Sequence, residues 1–229
     1  MKKVGILNIA TGKYHIYVKP LHDSIDKYLL KDCDCSVTKF VFSENDLGTK
    51  GSVWFRIDHQ QWPYPTLLRF RHFSNQCDAL REMDYLFYCD VDMLFCQAVG
   101  KEILGDLVGT IHPGFYNKAS SEYTYERNPK SLAYIPNGHG VRYYAGGFNG
   151  GRAENFLGMA RTLSDNIERD LGQGIVAKWH DESHLNRYMI DHPPTVELDP
   201  SYCFPESWKH LPFQPRLLAL DKDHALMRA

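Results

Sequence analysis

The chain has 229 residues, of which 43% are hydrophobic and 24% charged, enough apolar material for a full core and too much for wholesale disorder. The 28 acidic and 26 basic residues leave a formal net charge of -2 with no polybasic run, which argues against nucleic acid as a partner. No apolar run reaches the ~18 residues of a membrane span, and the opening MKKVGILNIA is too short for a signal h-region. The six cysteines form no C-x-x-C pair and read as reduced thiols, so the expectation is a soluble, cytoplasmic protein.

In chain order, residues 4–9 form a short apolar run broken by Thr11-Gly12-Lys13, which predicts a buried strand and a turn. Residues 16–30 place Ile16, Leu21, Ile25, Tyr28 and Leu29 on roughly one helical face. Strands are predicted over 36–42 and 53–57, then a loop holding Trp62, Pro63 and Pro65, then a helix to residue 80 with Thr66 as its N-cap. Residues 85–89 form an apolar strand that runs into Asp90-Val91-Asp92, and another short strand is expected over 109–113. Residues 117–140 are polar, with Pro and Gly, and read as a long functional excursion. A strand over 143–148, helices over 153–171 and 181–190, and strands over 195–198 and 217–220 follow. The last residues, 221–229, are polar and expected to be loose. Strands alternating with helices predict a mostly parallel α/β sheet, whose ligands bind beyond the carboxyl ends of the strands.

Three segments carry chemistry. Asp90 and Asp92 at a strand end can converge on a hard divalent cation, and carboxylates inside an apolar run are costly unless paired or metal-bound. The bland reading of the triplet alone is two solvated loop acids. Trp179-His180-Asp181-Glu182-Ser183-His184 places two histidines at i, i+4, a variant of a zinc-protease pattern, so a metallohydrolase on His180 and His184 is a rival. Asp181 and Ser183 are equally ordinary as helix-start residues. Tyr143 to Gly151 contains four glycines that let the backbone approach a ligand, although tight turns alone would explain them.

Taken together, MDYLFYCDVDMLF, VGKEILGDLVGTIHPGFY, YTYERNPKSLAYIPNGHG, YYAGGFNGG and GIVAKWHDESHLNRYMI resemble the histo-blood-group A/B transferase and α1,3-galactosyltransferase family, glycosyltransferase family 6. The resemblance implies an α/β fold of the glycosyltransferase A type: a Rossmann-like mixed sheet flanked by helices. It implies one catalytic domain over 1–229, with a nucleotide-sugar half over about 1–110 and an acceptor and catalytic half over about 111–229. Ile9, Ala10, Thr11 and Tyr14 match the segment that holds uracil and ribose, and Arg69 an arginine near the donor sugar. Asp90, Val91 and Asp92 match the motif that holds Mn²⁺ and UDP, with the two acids as metal ligands. His112, Phe115 and Trp179 match acceptor contacts. Gly114, Ala145 and Gly147 match positions that set sugar specificity, with Gly146 among the sugar-binding residues. Asp181 matches a donor-sugar carboxylate and Glu182 the catalytic nucleophile or stabiliser. Lys222, His224 and Arg228 match a tail that closes over UDP.

The implied activity is retaining transfer of GalNAc, or Gal, from a UDP-sugar to an oligosaccharide or glycolipid acceptor. The small residues Gly114 and Gly147 favour GalNAc. Thr11, Ala145 and Asn149 depart from the family's usual residues. The mammalian members' cytoplasmic tail, anchor and stem are not seen, which points to a microbial or viral origin. A catalytically inactive glycan-binding module of the same fold is the remaining alternative.

Overall fold

The computed structural model describes residues 1–228; Ala229 and the Arg228 side chain lie outside the described residues. The strands are β1 (Lys2–Ile9), β2 (Cys35–Ser43), β3 (Ser52–Arg56), β4 (Tyr85–Cys89), β5 (Met93–Phe95), β6 (Leu107–Ile111), β7 (Tyr144–Arg152), β8 (Val196–Leu198), β9 (Phe204–Pro205) and β10 (Leu217–Ala219). The helices are α1 (Val18–Tyr28), α2 (Tyr64–Leu67), α3 (Arg69–Asn75), α4 (Cys77–Leu80), α5 (Ala153–Gly172), α6 (His180–Asp191) and α7 (His224–Arg228).

Seven strands form a mixed sheet in the order β3-β2-β1-β4-β7-β6-β8. Only β7 runs against its neighbours: β4 and β6 pair with it antiparallel, whereas the other ladders are parallel. The alternation of side chains along each strand divides the core into two layers. Ile6 and Phe87 face α1 and Phe148-side residues, while the adjacent Leu7, Leu86 and Tyr88 face Phe70 and Phe73 of α3 and Phe156 and Met159 of α5. The fold is thus the mixed α/β architecture that the sequence predicts, with a sheet flanked by helices.

This topology positions the site. From β1 the chain steps outward to β2 and β3, then returns to place β4 on the other side of β1. The crevice beyond the carboxyl ends of β1 and β4 is therefore a topological switch point, where α/β sheets bind ligands. Strand β7 contributes a second feature. Asn149 pairs with Gly109 but Ala145 pairs with Thr110, so residues 146–148 bulge from the β6 ladder. The bulge brings Gly147 beside β4, where its carbonyl accepts from the Asp90 N–H at 2.8 Å.

Several expectations need correction. The helix expected to residue 80 is broken into α2, α3 and α4, and Thr66 lies inside α2 rather than at an N-cap. The strand expected over 109–113 is Leu107–Ile111. Strands β5, β9 and β10 form a separate three-stranded sheet. The tail, expected to be loose, makes contacts with the rest of the fold: Lys13 Nζ donates to the Leu226 carbonyl at 2.8 Å, and α7 packs beside the segment 12–17. All six cysteines are free. Among the described residues, no helix is long and apolar enough to cross a membrane.

Candidate active site

One cleft at the β1/β4 switch point is lined by residues from six separate stretches of sequence. The end of β1 supplies Ile9 and Thr11, and Tyr14 follows in the next turn. The end of β4 supplies Asp90, Val91 and Asp92; the β7 bulge supplies Gly146 and Gly147; the start of α6 supplies Trp179, Asp181 and Glu182; the tail supplies Lys222. Arg69, at the start of α3, lies beneath them.

Arg69 organises the floor. It is only 5% exposed, and its Nη1 donates to Asp90 Oδ1 and to the Gly146 carbonyl, each at 3.2 Å. Its Nε lies 3.0 Å from Asp181 Oδ2, and its guanidinium stacks 4.3 Å from the Tyr88 ring centroid. Burial opposes its charge, but Asp181, Tyr88 and Asp90 outweigh that and hold its pKa above the usual value. The Nε hydrogen is directed at the Thr66 carbonyl, so Asp181 is held by charge without a well-aligned hydrogen bond. Both Asp181 oxygens are buried and have no hydrogen-bond donor within the protein. Burial pushes the Asp181 carboxyl up to about 7; Arg69 opposes this shift, and Asp90 and Glu182 add to it. Orphaned buried acceptors on a cleft wall are the features a polar ligand satisfies.

Glu182 is held on both oxygens. Oε1 accepts from the Tyr143 hydroxyl at 3.1 Å and Oε2 from the Gly146 N–H at 2.8 Å. Asn186, one turn along α6, exchanges hydrogen bonds with both backbone groups of Tyr144 and donates to the Glu182 carbonyl. That lock fixes the start of α6 against β7. The glycines then divide by role. Gly146 and Gly147 face the cleft, whereas a Cβ on Gly150 would lie 2.4 Å from the Leu86 carbonyl oxygen, so that glycine serves strand packing.

Next to Glu182 stands an aromatic wall. His112 Nδ1 accepts from the Gly114 N–H at 3.0 Å, which leaves Nε2 as the donor of the neutral ring. Burial lowers the His112 pKa against the pull of Glu182, favouring that neutral form. Phe115 packs 4.4 Å from the Tyr143 ring centroid. Trp179 is 46% exposed, and its Nε1 donates to Thr124 Oγ1 at 2.9 Å, presenting an oriented indole at the cleft mouth.

Of the sequence-predicted residues, Ala10 and Ala145 are core residues beside the cleft rather than in its lining. His112, Gly114 and Phe115 belong to the adjoining aromatic wall. The Arg228 side chain lies outside the described residues. Sequence reading missed Tyr88, whose hydroxyl donates to Asp90 Oδ1, and the loop residues His59, Gln60 and Trp62. Tyr88 carried a signal, since alternation from the buried strand points it toward the same side as Asp90.

The zinc-hydrolase pairing is not formed. His180 begins α6 with φ of +52° and packs edge-on against Trp62, while His184 is buried with Nε2 3.6 Å from Asp170. Among the described residues, no group of three or more His, Cys, Asp or Glu side chains could hold a metal. A cation with fewer protein ligands does fit. The Lys222 ammonium lies against Asp92 Oδ2, so this position draws positive charge, and Asp90 and Asp92 offer the hard oxygens a divalent ion prefers.

The family model described as Glycosyltransferase family 6 matches residues 2–229. The chain is 35% identical to the rat histo-blood group ABO system transferase 1, covering 98% of this chain and 68% of that protein. It is 31% identical to the human globoside alpha-1,3-N-acetylgalactosaminyltransferase 1, covering 99% and 68%. It is 28% identical to the O-antigen biosynthesis glycosyltransferase WbnI of Escherichia coli, covering 90% and 89%. With the family model spanning almost every residue, the chain belongs to glycosyltransferase family 6.

Proposed function

We propose that this protein is a retaining hexosyltransferase that moves GalNAc, or Gal, from its UDP-sugar to a hydroxyl of a galactoside-type glycan. The observation that carries the reading is the pair of buried, unpartnered Asp181 oxygens beside the doubly held Glu182, in a cleft at the β1/β4 switch point. Ile9, Thr11 and Tyr14 hold the nucleoside. Asp181 and Arg69 receive sugar hydroxyls, satisfying the orphaned acceptors. His112 and Trp179 hold the acceptor glycan, the indole by stacking on a sugar face.

The bond between the anomeric carbon and the β-phosphate oxygen breaks with its electron pair leaving on the diphosphate, and the acceptor oxygen forms the new bond as its proton passes to the departing phosphate oxygen. Glu182 stabilises the positive charge that develops at the anomeric carbon, as a carboxylate does in retaining glycosidases. Lys222 supplies positive charge toward the leaving diphosphate, and the tail covers the nucleotide and excludes water. Asp90 and Asp92 would hold Mn²⁺, which would supply positive charge to neutralise the leaving group.

Glu182→Gln keeps size and packing while removing charge. It is expected to lose at least ~10²-fold in kcat with UDP affinity unchanged, the loss typical of one electrostatic stabiliser. Wild-type turnover in that variant would remove Glu182 from the chemistry.

A further inference from the structure

Tyr143 is nearly absent from solvent, 2% exposed, yet its hydroxyl is turned to the reacting end of the site, where it donates to Glu182 Oε1 at 3.1 Å. The ring itself belongs to the aromatic wall. It lies 4.4 Å from Phe115, 5.6 Å from His112 and 5.3 Å from Tyr125, centroid to centroid. The Thr124 hydroxyl stands beside the Tyr143 oxygen, and the same Thr124 oxygen accepts from the Trp179 indole. Polar contacts therefore lead from exposed Trp179 through half-buried Thr124 and buried Tyr143 to half-buried Glu182.

We propose that Tyr143 is a positioning residue that holds the Glu182 carboxylate in place and ties it to the wall on which the acceptor glycan packs. The inference rests on the role given to Glu182 above. Glu182 has two anchors of different kinds. The Gly146 N–H is backbone on the donor side, whereas the Tyr143 hydroxyl hangs from the acceptor side. A glycan that packs on Trp179, His112 and Phe115 presses on the same aromatic cluster that carries the Tyr143 ring, and so steadies Glu182 when an acceptor is present. Burial, and next Glu182, raise the Tyr143 pKa far above the ordinary phenol range, so the hydroxyl remains a donor at working pH. An acceptor-linked clamp of this kind favours transfer over attack by water, because a seated glycan adds restraint to the ring whose hydroxyl already holds Glu182.

Tyr143→Phe removes the hydroxyl and keeps the ring. With UDP-GalNAc and UDP-Gal as donors and lactose as acceptor, kcat for transfer is expected to fall roughly 10- to 100-fold, the loss of one hydrogen bond to a charged group. Acceptor KM, UDP affinity by calorimetry and melting temperature should change little. Acceptor-free donor hydrolysis should fall less than transfer, raising the ratio of hydrolysis to transfer. Tyr143→Phe combined with Glu182→Gln should lose little beyond Glu182→Gln alone, since both act through one carboxylate. A Tyr143→Phe enzyme with wild-type kcat, an effect confined to acceptor KM, or additive losses in the double variant would overturn the assignment. If Glu182→Gln itself retains full turnover, the role of Glu182 fails, and that result is separable from a failure of Tyr143 alone.

Discussion

Replacing Arg69 by Met tests how the floor of the cleft is held together. The side chain is 5% exposed, donates to Asp90 and the Gly146 carbonyl, and faces Asp181 as a charge partner. Met keeps much of the volume but leaves those acceptors facing each other without a cation. Breaking a buried ion pair in this way costs about 3–5 kcal/mol. The cost depends on pH, with a sign that follows from Asp181. Its folded pKa of about 7 is above the unfolded value of 3.8, so the folded state holds the extra proton and wild-type stability declines as pH rises toward 7. Without Arg69 the carboxyl is pushed higher still, and the decline continues above pH 7 at up to about 1.4 kcal/mol per pH unit. Urea denaturation should therefore show a loss of about 3–5 kcal/mol near pH 8, with about 1–2 kcal/mol less near pH 6. Loss of UDP-sugar affinity should accompany it, because Asp181 and Gly146 lose their anchor. A loss under about 1 kcal/mol, or one independent of pH, would contradict the role given to this arginine.

Three other outcomes follow. Lys222→Ala removes the ammonium against Asp92 and is expected to weaken UDP binding and turnover with little change in melting temperature; deletion of residues 221–229 should do the same, and a large fall in melting temperature would make the tail a structural element instead. A Cβ on Gly147 would meet Asp90 Oδ2 at 3.1 Å and Cys203 Sγ and Met93 Sδ at 3.4 Å, so Gly147→Ala should reduce kcat/KM for UDP-GalNAc more than for UDP-Gal, by about 1–3 kcal/mol; equal losses would place the effect on Asp90 rather than on donor choice. His22 and His72 are both pushed down to about 4, chiefly by burial and next by Lys39 and Arg71 respectively, so each favours unfolding by up to about 2 kcal/mol as pH drops from 6.5 to 5, opposite in sign to Asp181; a His22→Gln, His72→Gln variant should lose this acid component, and a pH dependence of stability unchanged from wild type would refute it.

Periodicity carried the parts of the fold that are long or apolar. The run 4–9, the strand ending at Asp90 and the amphipathic stretch beginning at Ala153 are readable because burial of one face repeats along the chain. Strands β5 and β9 are three and two residues long, too short for any period, and exist because tertiary pairing selects them, whereas β10 falls within the strand expected over 217–220. The break between α2 and α3 has no Gly or Pro to mark it: Leu68 leaves helical geometry at φ -98°, ψ 9° beside the point where Arg69 turns into the cleft. Asp90, Asp92, Asp181 and Glu182 were legible as acids at element boundaries. Their partners were not, since Tyr143, Tyr88 and Asn186 read as ordinary strand or helix residues until the bulge at 146–148 brings β7 under α6. The zinc pattern failed for a local reason: with His180 at positive φ, the i, i+4 geometry that the pattern assumes does not begin there.

The central claim is sugar transfer from a uridine diphosphate donor in the cleft floored by Arg69. Its most direct test follows the reaction by NMR with UDP-GalNAc, UDP-Gal, UDP-GlcNAc and UDP-Glc, each with lactose, in Mn²⁺ and again in excess EDTA. The account predicts an α-linked product, UDP-GalNAc turned over faster than UDP-Gal, and loss of activity on chelation that Mn²⁺ restores. A β-linked product, or no turnover of any UDP-sugar by a folded enzyme, would contradict it.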